Sequence, residues 1–215
     1  GSHGLIEHVD SGSDPAALGS VQVRGCTIDM SGYDGAPLYL LAYDAPAGDA
    51  PDVLIAGCTI LGAGDSTNIA QVLSGDSSAY WGHVEISGNR VRDAGVRVTG
   101  CETAEIMRNV VTDSPDYGLQ FSAAAGPPVA KPHAVFAGNY VRRSQLAGIR
   151  AAVANSQIHC IGNDSLNNRQ SGSGDANASI TITSGELAVL SANIVGDDQS
   201  TADQTRAVYI SSGLE

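Results

Sequence analysis

The chain has 215 residues, 42% of them hydrophobic and 5% aromatic, and a formal charge of −12. That length and apolar fraction allow one domain with a packed core, and so few rings suit a narrow interior of Val, Ile, Ala and Leu. The negative charge argues against a nucleic-acid partner, and no apolar run reads as a membrane span.

Taken from the N-terminus, Gly1-Ser2-His3 reads as the remnant of an expression tag, so the lack of a signal peptide leaves secretion open. Residues 4–19, with Pro15, Ala16, Ala17 and Leu18, read as a cap or partial coil. From residue 20 to residue 212 the chain repeats itself. A short alternating strand ends in a corner residue at Cys26, Cys58, Asn89, Asn109, Asn139, Asn163 and Asn193, at spacings of 32, 31, 20, 30, 24 and 30 residues. Two places on, Ile28, Ile60, Val91, Val111, Val141 and Val195 mark a second strand, with Ser165 the polar exception. A third strand starts near Pro37, Ile69, Gly95, Gly118, Gly148, Ser179 and Ala207. Residues 213–215 read as a tail, with Leu214-Glu215 resembling a second cloning remnant. A fixed core pattern at uneven spacing describes coils of one solenoid joined by loops of variable length. Seven coils at ~4.8 Å each would stack to about 34 Å.

An asparagine inside an apolar alternation needs a reason. Asn tolerates left-handed backbone better than most residues, so each corner asparagine is expected to have positive φ. Stacked one strand spacing apart, the side-chain amides both donate and accept, and would form a ladder that Cys26 and Cys58 continue as thiols. Cys26, Cys58 and Cys160 read as buried apolar residues, with a Cys26–Cys58 disulfide as the less favoured alternative; the cysteine spacing is not that of a zinc site. This pattern resembles the right-handed parallel β-helix of the pectin-lyase-like superfamily, which includes pectate lyases, polygalacturonases, alginate epimerases and phage tailspikes. The resemblance covers about residues 20–212. It implies an all-β solenoid of about seven coils with an Asn/Cys ladder, and it speaks to fold more than to activity.

In that superfamily substrates lie along the third strand and the loop before it. The outward third-strand column reads Tyr39, Gln71, Arg97, Gln120, Arg150, Thr181, Tyr209, and the position four beyond the corner reads Met30, Gly62, Asp93, Asp113, Arg143, Asn167, Asp197. Seven of the ten arginines fall between Arg90 and Arg150, so coils three to five gather charge of both signs. Long loops at Leu166 to Ala178 and Gly196 to Arg206 would wall a groove there. The catalytic candidates are Asp93, Asp113, Asp116, Arg143 and Tyr117. The substrate-binding candidates are Arg97, Gln120, Arg150, Arg142 and Trp81, whose ring would serve as a sugar platform. Carboxylates ~4.8 Å apart on adjacent coils repel, so one keeps its proton and the pair can work as acid and base. Asp93 with Asp113 fits the ~5–5.5 Å separation of a retaining glycosidase, and Asp93 with Asp116 the ~6.5–9.5 Å of an inverting one. On a uronic-acid polymer, Arg97 and Arg150 would clamp carboxylates while Tyr117, a carboxylate or a His removes a proton. Plainer readings stand beside these: adjacent Asp and Arg are surface ion pairs, Asp after a second strand is a turn residue, and Trp81 packs a loop against its coil.

Two functions follow. The first is a carbohydrate-active protein that binds and cleaves an extracellular anionic polysaccharide by hydrolysis or β-elimination. The second is a non-catalytic structural or glycan-binding β-helix of a phage tail or surface protein. Both place the protein outside the cell or on a virion or cell surface, with a polysaccharide as partner and no membrane. Open solenoid ends invite a homo-oligomer, a trimer being one option. No metal is expected, because His83 and His133 share a column two coils apart; no cofactor is called for, and Ca2+ enters only with lyase chemistry. The family's enzymatic signatures are absent. Asp116-Tyr117-Gly118 only echoes the epimerase Asp-Pro-His motif, and Gly196-Asp197-Asp198 reads as a chance match to the polygalacturonase double aspartate.

Overall fold

The computed structural model describes residues 6–9, 20–32, 38–42, 50, 52–62, 69–74, 80–123, 131–168, 178–197 and 206–211. Among these there is no helix, and the strands form three sheets. The first sheet holds β2 (Val21–Arg24), β5 (Val53–Ala56), β8 (Trp81–Ser87), β11 (Cys101–Met107), β14 (His133–Ala137), β17 (Gln157–Ile161) and β20 (Leu187–Ser191). The second holds β3 (Thr27–Asp29), β6 (Thr59–Leu61), β9 (Arg90–Arg92), β12 (Val110–Thr112), β15 (Tyr140–Arg142), β18 (Asp164–Leu166) and β21 (Ile194–Gly196). The third holds β1 (Ile6–Val9), β4 (Leu38–Ala42), β7 (Ile69–Ser74), β10 (Gly95–Thr99), β13 (Leu119–Ser122), β16 (Ile149–Ala152), β19 (Ala178–Ser184) and β22 (Arg206–Ile210). The chain visits the sheets in rotation, and every strand pairs in parallel with its counterparts one repeat away, an architecture compatible with a parallel β-helix. β1 adds a strand beside β4, whereas Pro15 to Leu18 lie outside the described residues.

Alternation within each strand makes the core. In the first sheet Val53, Val84, Ala104, Ala134 and Ile158 pair in succession, as do Ile55, Ile86, Ile106, Phe136 and Cys160, and all are buried. The three-residue strands of the second sheet turn only their middle residue inward, and Ile28, Ile60, Val91, Val111, Val141 and Ser165 line up there. Ser165 fits its apolar column because its hydroxyl donates to Ser179 O at 3.1 Å. Val208 and Ile210 pair with the fully buried Ile180 and Ile182 yet are 37% and 45% exposed.

The corners depart from expectation in one respect. The left-handed residue is not the asparagine but the one before it: Gly25, Gly57, Gly88, Arg108, Gly138, Gly162 and Ala192 have φ between 54° and 65°. Reversing the backbone one residue early turns the corner side chain inward. There Asn89 Nδ2 donates to Asn109 Oδ1 at 3.0 Å, Asn109 Nδ2 to Asn139 Oδ1 at 3.1 Å, Asn139 Nδ2 to Asn163 Oδ1 at 2.9 Å, and Asn163 Nδ2 to Asn193 Oδ1 at 2.9 Å. Each Oδ1 also accepts the main-chain N–H of the preceding corner, and Asn89 serves Cys58 N in this way at 2.8 Å. Cys26 and Cys58 are free thiols, so the disulfide alternative is not taken. Cys58 Sγ instead points at Val23 O and Ala56 O.

A second left-handed position follows the second strand, at Asp93, Asp113, Arg143 and Asn167, with φ of 53°, 61°, 55° and 52°. This is the column four beyond the corner, and its Asp and Asn residues answer a backbone demand before any chemical one.

Candidate functional site

The third sheet sets Arg97, Gln120 and Arg150 side by side, because β10, β13 and β16 pair Arg97 with Gln120 and Gln120 with Arg150. The column continues to Gln71 and Tyr39 on one side and Thr181 and Tyr209 on the other. This outer face is not an open floor. Thr99, Gln120, Ser122 and Thr181 are 4%, 5%, 8% and 1% exposed, and Arg97 Nε is buried without a hydrogen-bond partner. Gln120 therefore has little amide surface to offer a polymer. The loops expected to wall a groove lie mostly outside the described residues.

The turn from β12 to β13 is held by Ser114, whose Oγ donates to Tyr117 O at 2.8 Å and accepts from Asp116 N at 3.3 Å. It closes on Gly118, where a Cβ would collide with Val141 and sit 2.7 Å from Gly148 O. The turn thereby delivers Asp116 and Tyr117 to the edge of the third sheet. The Arg150 guanidinium lies over the Tyr117 ring, 4.8 Å from its centre. Burial pushes the Asp116 carboxyl above its ordinary value, outweighing the Tyr117 main-chain N–H and the charges of Arg97 and Arg150, which pull it down. Asp116, Tyr117, Arg97 and Arg150 are the candidates that come together.

The other candidates disperse. Arg143 grips Asp113 with both forks, Nε to Oδ1 at 2.6 Å and Nη2 to Oδ2 at 2.9 Å. That grip holds Asp113 below its ordinary value and lifts Arg143 above its own. Asp93 meets Arg92 at 3.2 Å. Both aspartates are thus engaged by arginine, and the acid–base pair expected of Asp93 and Asp113 is not assembled. Trp81 opens β8, in register with Cys101, and is 0% exposed within the apolar cluster, so its ring presents no sugar platform. Arg142 belongs to the second sheet, where its guanidinium covers the Tyr140 ring at 4.7 Å, rather than to the face of Arg97 and Arg150.

The sequence reading missed one contact. His133 and His159 stand edge to face with ring centres 5.0 Å apart. Burial, and then the charge of His159, lower the proton affinity of His133, while Glu105 raises it. The pair is diagonal across β14 and β17 and shows only once those strands are in register. His83 and His133 both align with Thr103 between them. Among the described residues no three His, Cys, Asp or Glu side chains are placed to hold a metal ion. Compared with known proteins, the chain matches no family model, no curated protein and no solved structure.

Proposed function

We propose that the chain is a right-handed parallel β-helix of the pectin-lyase-like type, with seven coils and an Asn/Cys ladder. It acts outside the cell or on a virion or cell surface, where it binds an anionic polysaccharide and cleaves it. The three-sheet rotation and the bonds between successive corner asparagines support the fold. The observation that carries the function is Asp116, a half-buried carboxyl of raised proton affinity beside Arg97, Arg150 and Tyr117. A carboxyl whose proton affinity is raised by burial is suited to giving or taking a proton, and an arginine held flat on a ring is a ready fork for a substrate carboxylate. With Asp113 gripped by Arg143, the cluster keeps one titrating carboxyl. This favours β-elimination, with Asp116 or Tyr117 removing the proton, over hydrolysis by two carboxylates.

The buried Gln120 and Thr181 favour a second reading, a non-catalytic glycan-binding or structural module, since they leave the third sheet without an open floor. A panel of acidic and neutral polysaccharides separates the two, read by new reducing ends and by the ultraviolet absorbance of unsaturated uronates. Product that disappears in Asp116→Asn while binding persists supports the enzyme. Binding without product from any polymer supports the module, and cleavage unchanged in Asp116→Asn removes Asp116 from the chemistry.

A further inference from the structure

The first two corners carry sulfur where the later five carry an amide. Cys26 and Cys58 follow left-handed glycines, Gly25 at φ 60° and Gly57 at φ 65°, so their side chains leave equivalent corners. The strands on either side are in register, Arg24 with Ala56 and Thr27 with Thr59, and Thr59 N donates to Cys26 O at 2.8 Å. The two side chains are therefore stacked one rung apart, ~4.8 Å. Cys58 is 1% exposed and Cys26 half-buried, so a small ion reaches the pair from the Cys26 side. Cys58 Sγ lies 3.6 Å from Val23 O, the place that Asn89 Nδ2 takes at Ile55 O one coil on. Burial pushes the Cys58 thiol above its ordinary value, the Cys26 main-chain N–H pulls it down, the neighbouring Cys26 thiol raises it and the Gly25 N–H lowers it. A sulfur anion at this position thus meets two main-chain donors already aimed at it. The other two cysteines have no such neighbour: Cys101 aligns with Trp81, and Cys160 with Phe136 and Leu190.

The spacing decides what such a pair can hold. A disulfide needs its Cβ atoms ~3.8 Å apart, so closing one would pull the two corners together by about 1 Å against the stack. Two metal–thiolate bonds of ~2.3 Å laid end to end span ~4.6 Å, which is close to one rung. Cu(I) is soft, selects thiolate, and with its filled d shell is satisfied by two ligands in line. Zinc asks for four ligands, and among the described residues no three His, Cys, Asp or Glu side chains are placed to hold it. We propose that Cys26 and Cys58 form a two-coordinate site for a soft monovalent cation, Cu(I), held in line between the stacked corners. Binding releases the two thiol protons and transfers no electron. The site passes from neutral to a single negative charge, which the Cys26 and Gly25 N–H groups face. It stands apart from the Asp116 cluster and does not depend on that cluster's chemistry.

Anaerobic titration of the reduced chain with Cu(I), in competition with the moderate Cu(I) chelator ferrozine, tests it. The native chain should retain one equivalent, and X-ray absorption should show two sulfur neighbours and no nitrogen. Cys26→Ser alters only a half-buried group and should weaken uptake about a hundredfold or more. Cys58→Ala should do the same, each variant being checked for an unchanged melting curve. Cys101→Ala and Cys160→Ala should keep the native affinity, and Ag(I) should rank the four variants in the same order. No uptake against the chelator, uptake unchanged in Cys26→Ser, or Zn(II) bound as tightly as Cu(I) would each overturn the proposal. So would a Cys26–Cys58 disulfide formed readily by oxidised glutathione, because it would show the thiols meeting more closely than one rung. Polysaccharide cleavage is read in none of these arms, so failure here leaves the Asp116 reading untouched.

Discussion

Replacing Asn139 by leucine keeps the number and branching of the side-chain heavy atoms and removes the amide. Four hydrogen bonds disappear. Asn139 Oδ1 accepts from Asn109 N at 3.0 Å and Asn109 Nδ2 at 3.1 Å, and its Nδ2 donates to Asn163 Oδ1 at 2.9 Å and Ile106 O at 2.8 Å. The losses are unequal. Asn109 Nδ2 keeps Ile86 O, and Asn163 Oδ1 keeps the main-chain N–H of Asn139. Asn109 N is left without its side-chain acceptor in a site of 0% exposure. An orphaned buried N–H costs ~1–3 kcal/mol and the remaining bonds ~0.5–1 kcal/mol each, so the substitution should cost roughly 3 kcal/mol. For a chain of this size that is a melting shift of ~6–12 °C. Urea unfolding followed by circular dichroism and by the fluorescence of the buried Trp81 measures it. The half-exposed Asn193→Leu serves as comparison and should cost less, because water can replace what the amide supplied. A loss below ~1 kcal/mol at Asn139 would refute the idea that the corner amides form one connected buried network.

Arg108→Gly and Ala192→Gly should each stabilise by ~0.5–1 kcal/mol, since both residues hold φ of 54° that glycine adopts freely. Gly138→Ala should destabilise by ~1 kcal/mol from backbone strain alone, its nearest contact being Arg108 Cγ at 3.7 Å. Gly148→Ala should cost more, ~1–3 kcal/mol, because a Cβ there collides with Ser165 and sits 2.5 Å from Asn168 Nδ2; thermal melts rank the four sites. Acid titration of stability should separate the two aspartates by sign. Asp113, held below its ordinary value by Arg143, contributes stability above the usual carboxylate range that is lost as pH falls through its folded value, and Asp113→Asn should flatten that limb. Asp116, raised by burial, contributes stability at low pH that is lost as pH rises through its folded value, so Asp116→Asn should cost least near neutrality. The reverse signs would show that these environments are wrongly assigned.

The strands were readable because they obey periodicity. Val84, Ile86 and Val91 alternate, their equivalents recur, and the pairing of Arg97 with Gln120 and Arg150 follows from counting residues. The corner was half readable. Glycine before Asn89, Asn139 and Asn163 hinted at the left-handed position, but Arg108 and Ala192 occupy the same site and hid it. Trp81 was misplaced because β8 starts three residues before the alternation does. The site was least readable of all. Which of Asp93, Asp113 and Asp116 is free depends on where the Arg143 guanidinium turns and on how deeply Asp116 is buried, and neither quantity leaves a mark in residue spacing.

The corner amides give the stack a direction as well as an interior. Each Oδ1 answers the N–H groups of the coil before it, so the series runs from donor to acceptor in one sense, from Cys58 N through to Asn193. Among the described residues nothing does for Asn193 what Asn193 does for Asn163. Among the described residues the last layer is therefore like one face of a polar crystal, apolar at Val208 and Ile210 and with its corner amide turned in the donor sense. Two such faces pressed together would set donor against donor. A layer that completed this one would need an Asn, Asp or comparable carbonyl at its own corner, in parallel register, and a merely apolar lid would leave the amide series unanswered.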